Sequence, residues 1–228
     1  MSILRERSGS DTLSEFMRYL ANHEQAASQT LPALTELSRE LGVSVASLRE
    51  QLEVARALGL VDVRPRTGTR RLPYTFGPAV RQSLRYALAL EDGHFEKFAE
   101  LRKHIETAYW HEAVTRLTAD DKGELRALIA RAHEKLNGTP IQAPHEEHRN
   151  LHLLIYRRLE NPFVTGLLEA YWDAYEAVGL NMFRGGYDYL QEVWRYHAEM
   201  VEAIDAGNYE AGYDALVKHT DLLYQRPD

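Results

Sequence analysis

Four histidines lie at helical spacing on apolar stripes in the C-terminal two thirds of the sequence. His148 and His152 are four residues apart, so on an α-helix they share one face. His197 and His219 occupy similar stripes further along the chain. A single histidine of this kind is usually a hydrogen-bonded core residue, but four converging imidazoles can satisfy one another by sharing a metal ion. The pattern predicts a metal site formed by these four side chains.

The ligand type narrows the choice of metal. Calcium and magnesium prefer carboxylate and carbonyl oxygens, whereas ligation by nitrogen alone suits zinc, nickel, cobalt or copper. We therefore expect a divalent transition metal, with zinc as the first choice and nickel as the alternative.

Arg102 is a second polar residue on an apolar stripe, together with Phe98, Ile105 and Tyr109. A buried guanidinium is costly without a counter-charge, so Arg102 either pairs with a buried carboxylate or binds an anionic ligand. A small carboxylate bound beside a metal would satisfy both groups. Trp194 lies one turn before His197, and we predict that Arg102 and Trp194 together contact such an effector.

A metal-dependent enzyme is the competing interpretation, and the sequence gives it little support. Residues 148–152 read His-Arg-Asn-Leu-His, with Arg149 where a zinc peptidase needs its glutamate base. Glu147 or Glu192 would be the base of a hydrolase. The sequence contains no Gly-x-Ser-x-Gly elbow, phosphate-binding loop or dinucleotide fingerprint. We predict no catalytic residues and favour a binding protein.

Helical periodicity continues from residue 78 to the end of the chain, which predicts an all-helical antiparallel bundle. Asn161-Pro162 is a helix start, and Gly207-Asn208 ends one helix and caps the next. The predicted helices cover residues 78–90, 93–116, 119–137, 143–159, 162–180, 188–206 and 208–224.

The first 73 residues follow a different pattern, which predicts three short helices and a β-hairpin. Gly42 ends the second helix and Ser44 caps the third, while Pro65 begins a turn between two extended stretches. Two helices joined by a tight turn and followed by a hairpin are typical of a winged helix-turn-helix. The DNA-binding residues predicted from the third helix and the wing are Ser44, Val45, Ser47, Arg49, Arg66, Thr67, Gly68 and Thr69.

Composition and charge are consistent with this division. The 228 residues carry a formal charge of −7, but residues 1–75 hold 10 basic and 9 acidic side chains, and residues 76–228 hold 17 and 25. An acidic body repels nucleic acid, so only the front part is suited to meet it. The absence of cysteine excludes disulfides and thiolate metal sites. No apolar stretch is long enough to span a membrane, and we expect a cytoplasmic protein.

Residues 31–73 resemble the DNA-binding domain of GntR-family bacterial transcription regulators. The matching elements are Leu31-Pro32, Leu41-Gly42-Val43-Ser44, Leu48-Arg49-Glu50, Gly59-Leu60-Val61 and Arg66-x-Gly68-Thr69. The family usually has arginine where this chain has Thr35 and Val45, and only Arg49 remains of the three. Each missing bidentate arginine would forfeit about 1–3 kcal/mol of base discrimination.

Residues 78–228 resemble the FCD effector-binding domain of the FadR subfamily. The matching elements are Arg102-x-x-Ile105-Glu106, Leu151-His152, Glu160-Asn161-Pro162, His197 with Gly207-Asn208, and His219. The resemblance implies a divalent metal held at these histidines and at the position of His148, where the family usually has aspartate. A fourth histidine removes one negative charge, and we expect zinc or nickel to be preferred over manganese.

The two resemblances imply a mostly α protein that is a one-component transcription regulator. Its parts are a winged helix-turn-helix over residues 1–73, a linker over 74–77 and an effector domain over 78–228. We expect a homodimer on double-stranded operator DNA, regulated by a small carboxylate effector. A regulator that responds to the metal alone is the alternative.

Overall fold

The computed structural model describes residues 12–23, 30–91, 93–179 and 186–222. The chain divides into two compact units, Met1–Gln82 and Ser83–Asp228. The division falls five residues after the predicted linker, inside the helix that follows it. None of the described helices is both long and apolar enough to cross a bilayer.

The N-terminal unit contains three helices and a two-stranded antiparallel sheet. The elements are α1 (Glu15–Asn22), α2 (Leu34–Leu41), α3 (Val45–Ala57), β1 (Val61–Arg64) and β2 (Gly68–Arg71). Phe16 of α1, Leu37 of α2 and Leu48 of α3 are almost fully buried and form the centre of its core. The predicted winged helix-turn-helix architecture is present.

Local chemistry fixes the turns of this unit. Gly42 ends α2 in the left-handed region at φ 68°, and the Ser44 hydroxyl caps α3 by accepting from the Ser47 amide at 3.2 Å. In the hairpin, Val61 pairs with Arg71 and Arg64 with Gly68. Gly68 has φ 85°, a conformation that glycine adopts without strain.

The described residues of the C-terminal unit form helices joined by short loops. Its elements, with the helix that enters it, are α4 (Gly77–Leu90), α5 (His94–Thr115), α6 (Ala119–Leu136), α7 (His145–Tyr156), α8 (Pro162–Ala174), α9 (Tyr187–Ala206) and α10 (Tyr209–Asp221). One π-helical turn, Tyr175–Gly179, extends α8. The predicted mostly helical fold with its helical bundle is confirmed.

Helix α5 lies at the centre of the bundle, where it packs against α7, α8 and α10. Helices α9 and α10 form a hairpin, because Gly207 ends α9 at φ 71° and the Asn208 side chain accepts from the Ala211 amide. Gly212 of α10 lies so close to the indole of Trp110 that a Cβ there would be 2.6 Å from Cζ2. The α9–α10 hairpin therefore packs against α5 too closely for a side chain at position 212.

A buried carboxylate joins the start of α6 to the end of α7. Asp121 forms a reciprocal capping box with Thr118, whose amide and hydroxyl each donate to Asp121 at 2.8 Å. The Arg158 Nε donates to the same carboxylate at 2.9 Å, and Arg157 donates to it as well. Asp121 is fully buried, and its charge is satisfied on all sides.

Candidate metal centre

The four predicted histidines converge inside the C-terminal unit. His148 and His152 come from α7, His197 from α9 and His219 from α10. Each offers a ring nitrogen, and these four atoms lie within 4.8 Å of one another. The rings of His197 and His219 are the closest, with centroids 4.2 Å apart. The cluster has a donor set and a size that could hold one metal ion.

Several of these nitrogens lack a hydrogen-bond partner among the described residues. They are His148 Nε2 and both nitrogens of His219, all of them buried. A buried polar atom left unpaired costs about 1–3 kcal/mol. His152 Nε2 lies 3.1 Å from His197 Nε2, and two nitrogens on a tetrahedral zinc would be about 3.3 Å apart, given Zn–N bonds of about 2.0–2.1 Å. The residues present therefore fit a shared transition metal.

The histidines are held in the neutral form that metal binding requires. Burial lowers the pKa of His148, His197 and His219 well below the ordinary value, and the neighbouring imidazoles lower it further. Burial also lowers the pKa of His152, although the carboxylate of Glu106 opposes that effect. Neutral imidazoles have a free lone pair for a metal.

Glu106 of α5 is a further member of the site that the sequence interpretation did not assign. It is fully buried, and its Oε1 lies 3.2 Å from His152 Nδ1. A carboxylate at Nδ1 favours the tautomer that has its proton there, which leaves the Nε2 lone pair directed at the other histidines. Glu106 thus orients His152 as outer-shell carboxylates orient metal-binding histidines.

Arg102 is the counter-ion of Glu106. Its Nη2 lies 2.8 Å from Glu106 Oε2 and 3.1 Å from His152 Nδ1, and its guanidinium carbon lies about 5 Å above the rings of Tyr171 and Trp172. Burial would raise the pKa of Glu106, but Arg102 and then His152 reverse this and hold it at about 2. Of the two interpretations of Arg102, pairing with a buried carboxylate is the one present.

A cavity of about 150 Å³ lies on one side of the histidine cluster. His148 and His219 are among its lining residues, and His148 is the least buried of the four histidines, at 9% exposed. Trp194 also lines the cavity, and its ring is 4.8 Å from that of His197. Arg102 is not among the lining residues, so this geometry does not support its predicted contact with the effector.

Sequence reasoning also missed the aromatic wall formed by Tyr175 in the π-helical turn. Its ring lies edge-on to His148, with centroids 5.8 Å apart. No spacing signal could have found it, because the π-helical turn changes the register of the face. Glu106 did have a signal, since it lies four residues after Arg102 and could pair with it along the helix.

The predicted DNA-binding residues form two groups in the structure, the six uncharged residues and the two arginines. Ser44, Ser47 and Thr69 are used within the fold: Ser44 caps α3, Ser47 Oγ accepts from the Gln51 side chain at 3.2 Å, and the Thr69 carbonyl accepts from the Leu31 amide at 2.7 Å. Val45 is half-buried at the start of α3, and Thr67 and Gly68 are exposed in the hairpin turn.

Arg49 and Arg66 form the second group. Both are exposed, and neither has an ion pair with any described residue. The nearby Arg64 differs, because it pairs with Asp62 at 2.6 Å. Arg49 and Arg66 therefore present cations to solvent, which is the chemistry that contact with phosphate or a base edge requires.

A three-helix unit with a hairpin and a helical unit with a buried histidine cluster are the two parts expected of a GntR-type transcription regulator. Comparison with known proteins agrees. Residues 97–222 match the FCD domain, which is more than half of the chain. The chain belongs to the FCD-domain family of GntR-type transcription regulators, and it is a regulator and not an enzyme.

Individual relatives cover most of the chain. The uncharacterized HTH-type transcriptional regulator YieP of Escherichia coli (strain K12) is 27% identical over 201 residues, which span 87% of this chain and 84% of YieP. The structure of Streptococcus agalactiae GntR superposes with a TM-score of 0.69 at 18% identity, covering 93% of this chain and 97% of that one. E. coli McbR/YncC gives a TM-score of 0.50 at 18% identity, covering 93% and 98%. These two structures support the fold.

Proposed function

We propose that this protein is a FadR-subfamily regulator whose C-terminal unit binds one transition metal and a small carboxylate effector. The observation that carries this proposal is the set of buried, unpaired ring nitrogens on His148 and His219, close to the facing Nε2 atoms of His152 and His197. A core that binds no metal would leave those atoms unsatisfied at considerable cost.

Zinc is the proposed metal and nickel the alternative, held by His148, His152, His197 and His219. When bound, the ion would supply a positive charge that attracts a carboxylate into the cavity beside the histidines. Four neutral ligands, with the Glu106 charge already paired by Arg102, give a softer and less anionic site than one with a carboxylate ligand. This donor set supports zinc or nickel over manganese.

The N-terminal unit is proposed to bind double-stranded operator DNA as one half of a homodimer. One recognition helix reads few base pairs, so a two-fold pair of units on a palindromic site supplies the missing specificity. We expect Arg49 to contact bases or phosphates from α3, and Arg66 to contact the backbone or minor groove from the hairpin. Regulation requires that the effector bind one arrangement of the dimer more tightly than the other.

The metal proposal is tested by loading the chelator-treated protein with zinc and manganese in competition and measuring bound metal by mass spectrometry. We expect one zinc per chain, which an equal concentration of manganese does not displace. His152→Ala should lose the bound metal. His111→Ala is the matched control, because His111 is exposed and pairs with Glu210 outside the cluster. Equal binding of manganese would contradict the stated preference.

The DNA proposal is tested by fluorescence anisotropy of the zinc-loaded protein on DNA from upstream of its own gene, with excess random competitor. Arg49→Ala should weaken specific binding by about 1–3 kcal/mol, the usual contribution of one arginine that reads a base. Arg56→Ala is the control, because Arg56 lies at the other end of α3 and pairs with Glu53. Equal binding to every duplex by the wild type would show that it lacks sequence specificity.

The same assay separates the effector-responsive protein from one that responds only to metal. The proposal expects zinc-loaded protein to change its DNA affinity when a carboxylate is added. A change on zinc addition, with none for any acid, would favour the metal-responsive alternative.

A further inference from the structure

The cavity beside the histidines is lined mainly by aromatic and aliphatic side chains. They include Pro144, Tyr175, Tyr189, Leu190, Val193 and Trp194. The only described lining side chains with ionisable nitrogen are His145, His148 and His219. No lysine or arginine is among the described lining residues. The ligand that fits has one anionic end, directed at the histidines, and an apolar body.

Three cations on the helices around this cavity are already neutralised by carboxylates. Lys135 lies 2.7 Å from Glu147, and Arg149 lies 3.1 Å from Asp173. Arg102 is paired with Glu106 at 2.8 Å behind His152. A second carboxylate on the ligand would therefore lose its hydration without gaining a counter-charge from these residues.

His145 does not supply that charge either. It is half-buried at the cavity wall, and its pKa is lowered by burial and then by Lys135. A neutral imidazole can form one hydrogen bond to a ligand but does not balance a second negative charge. Several ligand hydroxyls would each need a partner, and the Pro144, Leu190 and Val193 side chains cannot replace the water that those hydroxyls lose.

The cavity volume limits the size of the ligand body that the cavity can enclose. A cavity of about 150 Å³ is similar to the apolar protein cavity of about 150 Å³ that accommodates benzene. A branched or aromatic monocarboxylate with a body of about four to seven carbon atoms is of this size. Citrate has a similar volume but three charges, so charge and not size distinguishes it.

We infer that the effector of this protein is a small monocarboxylate with an apolar, branched or aromatic body, selected over dicarboxylates, tricarboxylates and sugar acids. This inference rests on the proposed function, because the charge that attracts the carboxylate is that of the bound metal. It adds that the walls formed by the π-helical turn after α8, by α9 and by the start of α7 determine which acid binds.

Isothermal titration of the zinc-loaded full chain with benzoate, isovalerate, succinate, citrate and gluconate tests the inference. Benzoate or isovalerate should bind at least tenfold more tightly than the other three. Benzamide, which has the same body without the charge, should bind at least tenfold more weakly than benzoate. Succinate, citrate or gluconate binding as tightly as the monocarboxylates would overturn the inference.

Leu190 offers a variant that reverses the preference. Its side chain is half-buried at the cavity wall, so Leu190→Arg adds a cation there at a position with access to solvent. Succinate should gain at least tenfold relative to benzoate, whereas Leu190→Ala should weaken benzoate without changing the order. Leu101→Arg on the exposed face of α5 is the control and should leave the order unchanged. An unchanged order in folded, zinc-loaded Leu190→Arg would contradict the assignment of this wall.

Metal analysis of the same samples separates the two proposals. If one zinc is bound and none of the five acids binds, the inference about the effector is wrong and the metal site stands. If the wild type retains no zinc, the proposed function itself fails.

Discussion

The two units differ in whether their functional charged side chains are exposed or buried. In the N-terminal unit, Arg49 and Arg66 lie in solvent with no ion pair among the described residues, and the core beneath them is apolar. In the C-terminal unit, Arg102 and Glu106 are buried within the bundle, where each depends on the other. Function can therefore be removed from the first unit without disturbing its fold, whereas in the second the site is part of the core.

The contrast between the arginines explains this difference. An exposed guanidinium is hydrated, so replacing it changes stability by only about 0.5 kcal/mol. A buried one is stabilised by its partners, and removing a partner leaves a charge that water cannot reach. Single substitutions in each unit can therefore test this difference between exposed and buried charges.

The largest expected effect is that of Glu106→Gln. The free energy of unfolding of the metal-free C-terminal unit should fall by about 3–5 kcal/mol, because Arg102 remains charged and loses its counter-ion. Metal affinity should also fall by about 10–100-fold, since His152 loses the carboxylate at Nδ1. Urea unfolding and metal titration measure the two effects separately.

A double variant separates the roles of the Arg102–Glu106 pair. Arg102→Met combined with Glu106→Gln removes both charges, so stability should recover while metal affinity stays low. Recovery of both properties would mean that Glu106 serves only to balance Arg102.

Removal of the metal should have the next largest effect. At free zinc about 1,000-fold above its dissociation constant, binding stabilises the folded state by about 4 kcal/mol, and chelation should lower the melting temperature by about 10 °C. Calorimetry with and without chelator measures the shift. His152→Ala should show no shift on chelation, and a wild type equally insensitive would contradict the metal proposal.

Arg66→Ala should affect DNA binding and not stability. Without its cation at the backbone, binding to every duplex should weaken by a similar factor, and the dependence of log K on log salt should fall by about 1. Anisotropy at several salt concentrations measures this slope, with Arg56→Ala as the control. A change in melting temperature of several degrees would show that the hairpin is coupled to the core after all.

Asp121→Asn should have the smallest effect, and one that depends on pH. The hydrogen bond from Arg158, with those from Thr118 and Arg157, lowers the pKa of Asp121 against the opposing effect of burial. Because the folded pKa lies below the unfolded value of about 4, the charge stabilises the fold above that pH and this contribution is lost as pH falls.

The variant should therefore be about 1 kcal/mol less stable than wild type at pH 7, and the gap should narrow below about pH 4. Urea unfolding at pH 7, 4 and 3 measures it. A gap that stays constant across this range would mean that the charge of Asp121 contributes nothing.

The helices could be predicted to within a few residues because capping residues, prolines and glycines mark their ends. Ser44, the Asn161-Pro162 pair and the Gly207-Asn208 pair each begin or end an element where the sequence indicates. The end of α8 is the exception: the prediction continues to residue 180, but the α-helix ends at Ala174 and a π-helical turn follows. Apolar periodicity continues through that turn and does not reveal the change in hydrogen bonding.

The histidine cluster could be predicted from spacing because each histidine interrupts an apolar stripe. The partner of Arg102 was not assigned, although Glu106 lies four residues after it, at the spacing of a pair along one helix. The cavity could not be predicted either, because Tyr175 and Leu190 come from separate elements that line it only in the folded bundle. Spacing along single helices thus predicted the ligands of the site but not its walls.

Gly212 has a consequence for how this protein can vary. No described lining residue or cluster histidine is involved, yet a single added methyl group would meet Trp110 and push α10 outward, carrying His219 with it. A substitution at a position two turns from the nearest cluster histidine would therefore abolish the proposed metal binding. A related protein with that substitution would keep all four histidines in its sequence and still not bind the metal.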